Sequence, residues 1–543
     1  MNYVFRDKYL PYSIIPVDIK RFSVLWLDAR HSLAIYSPYS PLFTRRRTDS
    51  FLVSSGNRGF KCGKEGRDIV QLCQCIKPIE QGVGKLIMKR KSISFVLCAA
   101  IVASCLSVVP VSAKAKNEAA VDVKVQVEAG KQYSPEDNFT DHWTREEALR
   151  VQRDSTNTIP LIKPSGEPIT NDKFKLGDAW PLTNLKGEVV KYKGWNILFS
   201  LNDDRRGNIP AQIGYYYSKD AKSWKFGGLL FPEQALSIQQ WSGSTVIEGT
   251  NEITVFYTTT NEPDKVPVNF EWNQRIASAK GKIHADKDGV YFTGLNERKN
   301  HQYLLEPDGK MYQTWEQYKS GQPKSQFTGF RDPWVFKDPN DGKTYMLFHG
   351  SKGGNPHENT CAAEDIGNVP ADHVVPEDSK YFVGSVGIAV ATDKELKNWK
   401  LLPPLLSANC VSQELERPHL IFKDNKYYLF IDEHAHKYAP GLSGPDGLYG
   451  FVGTSLRGDY QPLNGSSLVL ANPAEANYQS FAWNITPNLL VQSFIMREPK
   501  GSLAPTLKID INGSTTRFLE ELDYGYVPAT TNMRNHPRAE KPN

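Results

Sequence analysis

Lys426-Tyr427-Tyr428-Leu429-Phe430-Ile431 is a short apolar run, and Tyr449-Gly450-Phe451-Val452-Gly453-Thr454, rich in small residues, follows it. The same couple recurs along the chain. GWNILFS (194–200) precedes IGYYYS (213–218), and ITVFYT (253–258) precedes RIASAK (275–280). TYMLFH (344–349) precedes VGIAVAT (386–392), and LLVQSFI (489–495) precedes TLKIDI (506–511). Three of the second runs continue through a polar turn to an aromatic: Trp224, Trp399 and Tyr460. Short β-branched and aromatic runs bounded by Gly, Pro, Asn and Asp are strands, and self-similarity at this spacing marks a repeat fold. Five units predict an all-β chain, a five-bladed β-propeller with a central funnel-shaped active site. The competing reading is a β-sandwich whose strands match by coincidence. The interruptions at 296–330 and 350–380 are expected as loops at the pocket rim.

Just ahead of each unit stands a segment that carries chemistry. Leu176-Gly177-Asp178-Ala179-Trp180-Pro181 precedes the first and Trp241-Ser242-Gly243-Ser244 the second. Arg331-Asp332-Pro333, Glu414-Leu415-Glu416-Arg417-Pro418 and Phe481-Ala482-Trp483 precede the third, fourth and fifth. The inner strand of each propeller blade lines the central channel, so Asp178, Asp332 and Glu416 would converge there despite their distance in sequence. Glycosyl transfer with retention needs such a set: a carboxylate nucleophile and a second carboxyl that serves as acid, then base. The acid must hold its proton near neutral pH, which burial or a neighbouring carboxylate can arrange. Glu414 and Glu416 are two residues apart, on one face of a strand, and such a pair raises one pKa. Taken alone, Arg-Asp-Pro is a common surface turn; its position in the repeat is what singles it out.

The ends of the chain change its charge class. Met88-Lys89-Arg90-Lys91, an apolar stretch from Ile93 to Val109, and Val111-Ser112-Ala113 read as a secretory signal peptide over 88–113, cleaved near Ala113. A membrane span fits less well, because the run is short and carries Ser and Cys. Val102-Ala103-Ser104-Cys105 offers a lipoprotein box as the alternative. Residues 1–87 then read as an upstream leader, with Met88 the initiator. Residues 114–140 read as a flexible N-terminal segment, 141–530 as the catalytic propeller and 531–543 as a C-terminal tail. Of 65 basic and 60 acidic residues, 17 and 7 fall in 1–113, leaving 48 and 53. A chain of net charge +5 thus becomes mildly acidic and exported, with no nucleic-acid partner implied. Cys361 and Cys410 are the cysteines left, an even count that reads as one disulfide in an exported protein; two unpaired buried thiols are the alternative. No zinc motif or nucleotide-binding Gly loop appears. No cofactor is expected, and a structural Ca²⁺ is left open.

Taken in order, the Asp178, Trp241, Arg331 and Glu414 segments resemble the levansucrases of glycoside hydrolase family 68 over about 170–520. Tyr438-Ala439-Pro440-Gly441-Leu442 and Gly444-Pro445-Asp446-Gly447 are similar to the Gram-negative branch, whose exported members can carry one disulfide. The resemblance implies a secreted, monomeric enzyme that takes the fructosyl unit of sucrose and passes it to a β-2,6-fructan, to sucrose or to water. A sucrose hydrolase or an inulosucrase would use the same residues. It implies Asp178 as the nucleophile, Glu416 as acid/base and Asp332 as transition-state stabiliser, its charge fixed by Arg331. Trp241, Ser242, Arg331, Glu414 and His434 would bind sugar, His434 on the acceptor side. A sugar-binding propeller without catalysis is the reading from another class, and it would need no such acid. The chain departs from the family pattern at Gly177, where a Trp is usual, so Trp180 or a loop aromatic would have to supply that wall. Phe494 stands where Gram-positive members have Tyr.

Overall fold

Residues 133–163, 174–204, 210–231, 235–260, 273–321, 328–496 and 502–533 are described by a computed structural model. The expected leader and signal peptide lie outside these residues. The repeat is a five-bladed β-propeller, not a sandwich. Blade I comprises Phe174–Thr183, Asn196–Asp204, Gln212–Ser218 and Lys225–Leu229. Blade II comprises Gln240–Glu248, Glu252–Thr260 and Gln274–Ala285, the last of which pairs with both Val290–Thr293 and His301–Leu305. Blade III comprises Phe330–Lys337, Thr344–Ser351, Gly384–Ala391 and Trp399–Ser407. Blade IV comprises Glu416–Lys423, Lys426–Glu433 and Gly447–Gly453, with Gln461–Pro462 and Leu468–Ala471 outside. Blade V comprises Ser480–Ile485, Leu490–Ile495, Pro505–Asn512 and Thr515–Tyr524.

The opening stretch shows why the runs read as continuously apolar. Successive strand residues point to opposite faces, and both faces of a blade are covered. Tyr427, Leu429 and Ile431 enter the core shared by blades III and IV. Tyr428 and Phe430 enter the core shared with blades V and I. Both sets are therefore buried and apolar, and polar–apolar alternation vanishes. Asp424 and Asn425 close the hairpin with φ of 51° and 57°, the left-handed pair whose twist suits a two-residue turn. Further cores fill the I–II and II–III seams.

Segments outside the repeat cover blade edges, which would otherwise present unpaired backbone groups. Asp141–His142 pairs in parallel with Leu406 and Ser407 on blade III, and Thr158 bridges Ala471 on blade IV. The described part of the expected flexible segment is packed. Tyr133 stacks on Phe139, and the buried Arg457 guanidinium donates to the carbonyls of Pro135 and Phe139. The expected tail likewise begins as a strand, Thr531–Met533, parallel to Val190–Tyr192. Charge and polarity hid both segments, because they are held by backbone pairing and a few side chains, not by an apolar face. The expected rim loop 296–330 contains a strand, His301–Leu305, and a helix, Trp315–Gly321. Cys361 and Cys410 form the disulfide, with Cα atoms 5.7 Å apart. Among the described residues no helix is long and apolar enough to cross a membrane.

Candidate active site

In all five blades the inner strand loses register with its neighbour at an equivalent point. The shifts fall between Leu176 and Ala179, Trp241 and Gly243, Arg331 and Trp334, Glu416 and His419, and Phe481 and Asn484. These are β-bulges, which re-aim side chains out of the pleat. Asp332, Arg417 and Ala482 sit in them at φ of 62°, 48° and 58°. Asp178, Ser242, Asp332 and Glu416 thus lie in the inner strands themselves, not in the turns ahead of them. At Gly243 a Cβ would stand 1.9 Å from the Phe256 carbonyl oxygen, so only glycine fits that bulge.

The bulges bring the acidic residues into one buried cluster. Asp178 is 2 % exposed. Ser242 Oγ donates to its Oδ2, and among the described residues Oδ1 has no hydrogen-bond partner. The Asp332 backbone N–H donates to Thr258 Oγ1 at 2.9 Å, and Thr258 Oγ1 donates to the Ser242 carbonyl at 3.1 Å. That short relay ties blades II and III. Asp332 Oδ2 accepts from the Arg417 N–H at 3.3 Å. Burial pushes Asp332 up to about 7, and the charges of Glu416 and Asp178 act in the same direction against Arg331.

Arg331 spends its hydrogen bonds on the glutamates more than on Asp332. Its Nη2 donates to Glu416 Oε1 at 2.7 Å and to Glu414 Oε1 at 3.0 Å. Its Nε donates to Glu416 at 3.2 Å and lies 3.6 Å from Asp332 Oδ2. The two glutamates then part company. Burial raises Glu416, and the neighbouring Glu414 charge raises it further. Burial opposes ionisation of Glu414 too, but the Lys437 and Arg331 charges overcome it and hold that carboxyl well below its usual range. Two titratable groups pushed apart by their surroundings are the signature of an acid and its charged partner.

His434 stacks on Phe481 at 3.7 Å between ring centres. Its Nδ1 lies 3.1 Å from Asp446 Oδ2 and its Nε2 lies 4.0 Å from Glu416 Oε2. Burial favours the neutral ring, yet Asp446 and the two glutamates raise its pKa overall. Trp241 is 3 % exposed on the same inner strand as Ser242. All eight predicted site residues therefore fall on, or immediately beside, the inner strands and the strand that follows Glu416.

Several neighbours were not read from the sequence. Lys437, fully buried, puts Nζ 3.3 Å from Glu414 Oε1. Asp432 stands opposite Glu416 in the ladder, fully buried. Burial raises Asp432 and Glu433 well above the usual carboxylate range. Arg417 turns away from the carboxylates and donates to the carbonyls of Ala482 and Ala179, both at 2.7 Å, stapling blades IV, V and I. The run Asp432-Glu433-His434-Ala435-His436-Lys437 offered a signal in its density of charge behind an apolar strand, but such a run usually marks a solvated turn. Trp180 does not replace the aromatic missing at Gly177. It is buried in the I–II seam, its Nε1 donating to Thr245 Oγ1 at 3.1 Å. Among the described residues, two groups could hold a metal ion, Asp332 with His349 and Glu416, and Glu414 with Glu416 and His434, their ligand atoms within 4.8 Å of one another. Both enlist Glu416, the candidate proton carrier.

Residues 133–528 match the family described as Levansucrase/Invertase. The chain belongs to glycoside hydrolase family 68. An extracellular sucrase of Zymomonas mobilis subsp. mobilis is 41 % identical over 409 residues, 72 % of this chain and 95 % of that protein. A levansucrase from the same organism is 38 % identical over 406 residues, 71 % of this chain and 92 % of its own length. Among solved structures, an inulosucrase from Halalkalicoccus jeotgali bound to kestose is 35 % identical with a TM-score of 0.64, covering 74 % of this chain and 100 % of that one. Family membership agrees with the order of the motifs and with the blade count.

Proposed function

We propose that the protein takes the fructosyl unit of sucrose and transfers it, with retention, through a covalent fructosyl-enzyme. The observation that carries this reading is the pairing of Asp178, held by Ser242, with a buried glutamate whose pKa is raised by burial and by the charge of the neighbouring Glu414. Ser242 fixes one oxygen of Asp178, leaving Oδ1 to attack C2 of the fructosyl unit. Glu416 gives its proton to the departing glucose oxygen as the C2–O bond breaks. Asp332, anchored through Thr258 and the Arg417 N–H, opposes the oxocarbenium-like charge. Glu416, now a carboxylate, takes the proton of the acceptor hydroxyl, which attacks C2 and frees Asp178. Two inversions give retention. No cofactor enters either step, and the protein acts as an exported monomer with no nucleic-acid partner.

The acceptor distinguishes the narrower readings. The relatives include proteins named sucrase, levansucrase and inulosucrase, so the family by itself does not choose the acceptor. A growing β-2,6-fructan is the acceptor proposed here, with hydrolysis beside it, as the 41 % identity to the extracellular sucrase supports. Glucose and fructose released from concentrated sucrose test this. Glucose in excess of free fructose, with fructan accumulating, is expected. Equal release at every sucrose concentration would leave hydrolysis alone.

A further inference from the structure

The two glutamates of the site meet its cations unequally. Arg331 is shared, but it favours Glu416, with contacts of 2.7 and 3.2 Å against one of 3.0 Å to Glu414. By itself Arg331 would place the negative charge on Glu416, the wrong residue for a proton donor. His434 acts on both glutamates and does not decide between them. Asp178, Asp332 and Asp432 face Glu416, while Glu433 faces both glutamates. Burial pushes His436, the remaining neighbour of Glu414, down to about 2, so it is uncharged at neutral pH.

Lys437 breaks the balance. It follows the second strand of blade IV, is fully buried, and reaches Glu414 Oε1 at 3.3 Å. Its backbone is pinned as well, its carbonyl accepting from the Gln413 N–H at 3.0 Å and from Ser412 Oγ at 3.3 Å. Ser412 Oγ also accepts from the Glu414 N–H at 3.1 Å. Lysine and glutamate backbones are thus fastened to one hydrogen-bonded knot, which sets the ammonium beside Glu414. We propose that Lys437 is the positioning residue that selects the acid: it fixes the negative charge on Glu414 and so leaves the proton on Glu416. Without it, Glu414 keeps the weaker share of Arg331 beside the His434 charge that both glutamates feel, and takes the proton, while Glu416 becomes the ionised partner of the guanidinium. This inference rests on the fructosyl-transfer reading.

A leaving group that needs no proton separates this role from general support of the fold. The glucose unit of sucrose would leave as a sugar alkoxide and requires an acid; the nitrophenyl group of p-nitrophenyl β-D-fructofuranoside leaves as a stable phenolate and does not. Lys437→Met is expected to lower kcat/KM for sucrose by about 100-fold or more, the lower range for loss of a general acid, while the nitrophenyl donor stays within about fivefold of wild type. Lys437→Arg, which restores the cation, should recover sucrose cleavage. If Lys437→Met does not fold, Lys437→Gln, which keeps a donor of similar reach without charge, carries the same comparison. Equal losses on both donors, or no loss on either, would overturn the role given to Lys437. A wild-type protein that cleaves neither donor would instead overturn the fructosyl-transfer reading.

Discussion

His419 locks the seam between blades IV and V in a way that makes the protein's stability depend on pH. Its Nε2 accepts the Ile485 N–H at 3.1 Å, so Nδ1 must carry the proton and donate it to the Arg417 carbonyl at 2.8 Å. The ring stacks on Phe430 and is 2 % exposed. Protonating Nε2 would set an N–H against an N–H in a dry seam. Burial accordingly pushes this histidine down to about 4 from 6.5, and the Arg417 charge adds to it. The unfolded chain therefore binds a proton that the folded one refuses between pH 6.5 and 4. Stability from this site is complete above pH 6.5 and is lost as pH falls toward 4. At 1.36 kcal/mol per unit the loss is about 3 kcal/mol. Equilibrium urea unfolding of wild type and His419→Gln at pH 7, 5.5 and 4 measures it; the glutamine keeps an acceptor for Ile485 and does not titrate. The variant should be less stable at pH 7, and its deficit should shrink by about 3 kcal/mol at pH 4. A deficit that stays constant with pH would refute the assignment of a neutral, seam-locking imidazole.

Other perturbations have equally direct readouts. Ser242→Ala removes the hydroxyl that fixes Asp178 and should lower kcat about tenfold to a hundredfold, the worth of one hydrogen bond to a charged group, in steady-state assays on sucrose. Gly177→Trp should fold normally, since a Cβ there meets only Leu201 Cβ at 3.5 Å and its carbonyl at 3.7 Å. It should lower KM for sucrose by adding an aromatic wall; an unchanged KM would show that the wall is dispensable. Cys361→Ser with Cys410→Ser opens a loop spanning 49 residues and should cost about 4 kcal/mol of unfolding free energy, measured in urea.

The blades were legible because each strand must fill two seams, as Tyr427–Ile431 does, and the resulting apolar runs repeat. Asp178, Glu416 and Arg331 were legible as one cluster because they occupy one structural position, the inner-strand bulge, in different blades. Lys437 and Asp432 were not, since a charged turn behind a strand reads as solvated until the surrounding blades are seen to bury it. Arg331 illustrates a finer limit. The family resemblance implied a partnership with Asp332, which a 3.6 Å ion pair keeps, but the bulge also aims its guanidinium at Glu414 and Glu416. The lead-in at 133–140 and the strand at 531–533 escaped for another reason: the first is held largely by Arg457 on its carbonyls and the second by strand pairing, and backbone groups leave no mark on side-chain pattern.

The nucleophile is tested most directly by trapping it. Glu416→Gln cannot activate the acceptor, so with p-nitrophenyl β-D-fructofuranoside the first step should proceed and the second stall. After acid quench and digestion, mass spectrometry should find one fructosyl unit on the peptide that contains Asp178. A fructosyl unit on any other residue, or a burst of nitrophenolate with Asp178 unmodified, would contradict the assignment.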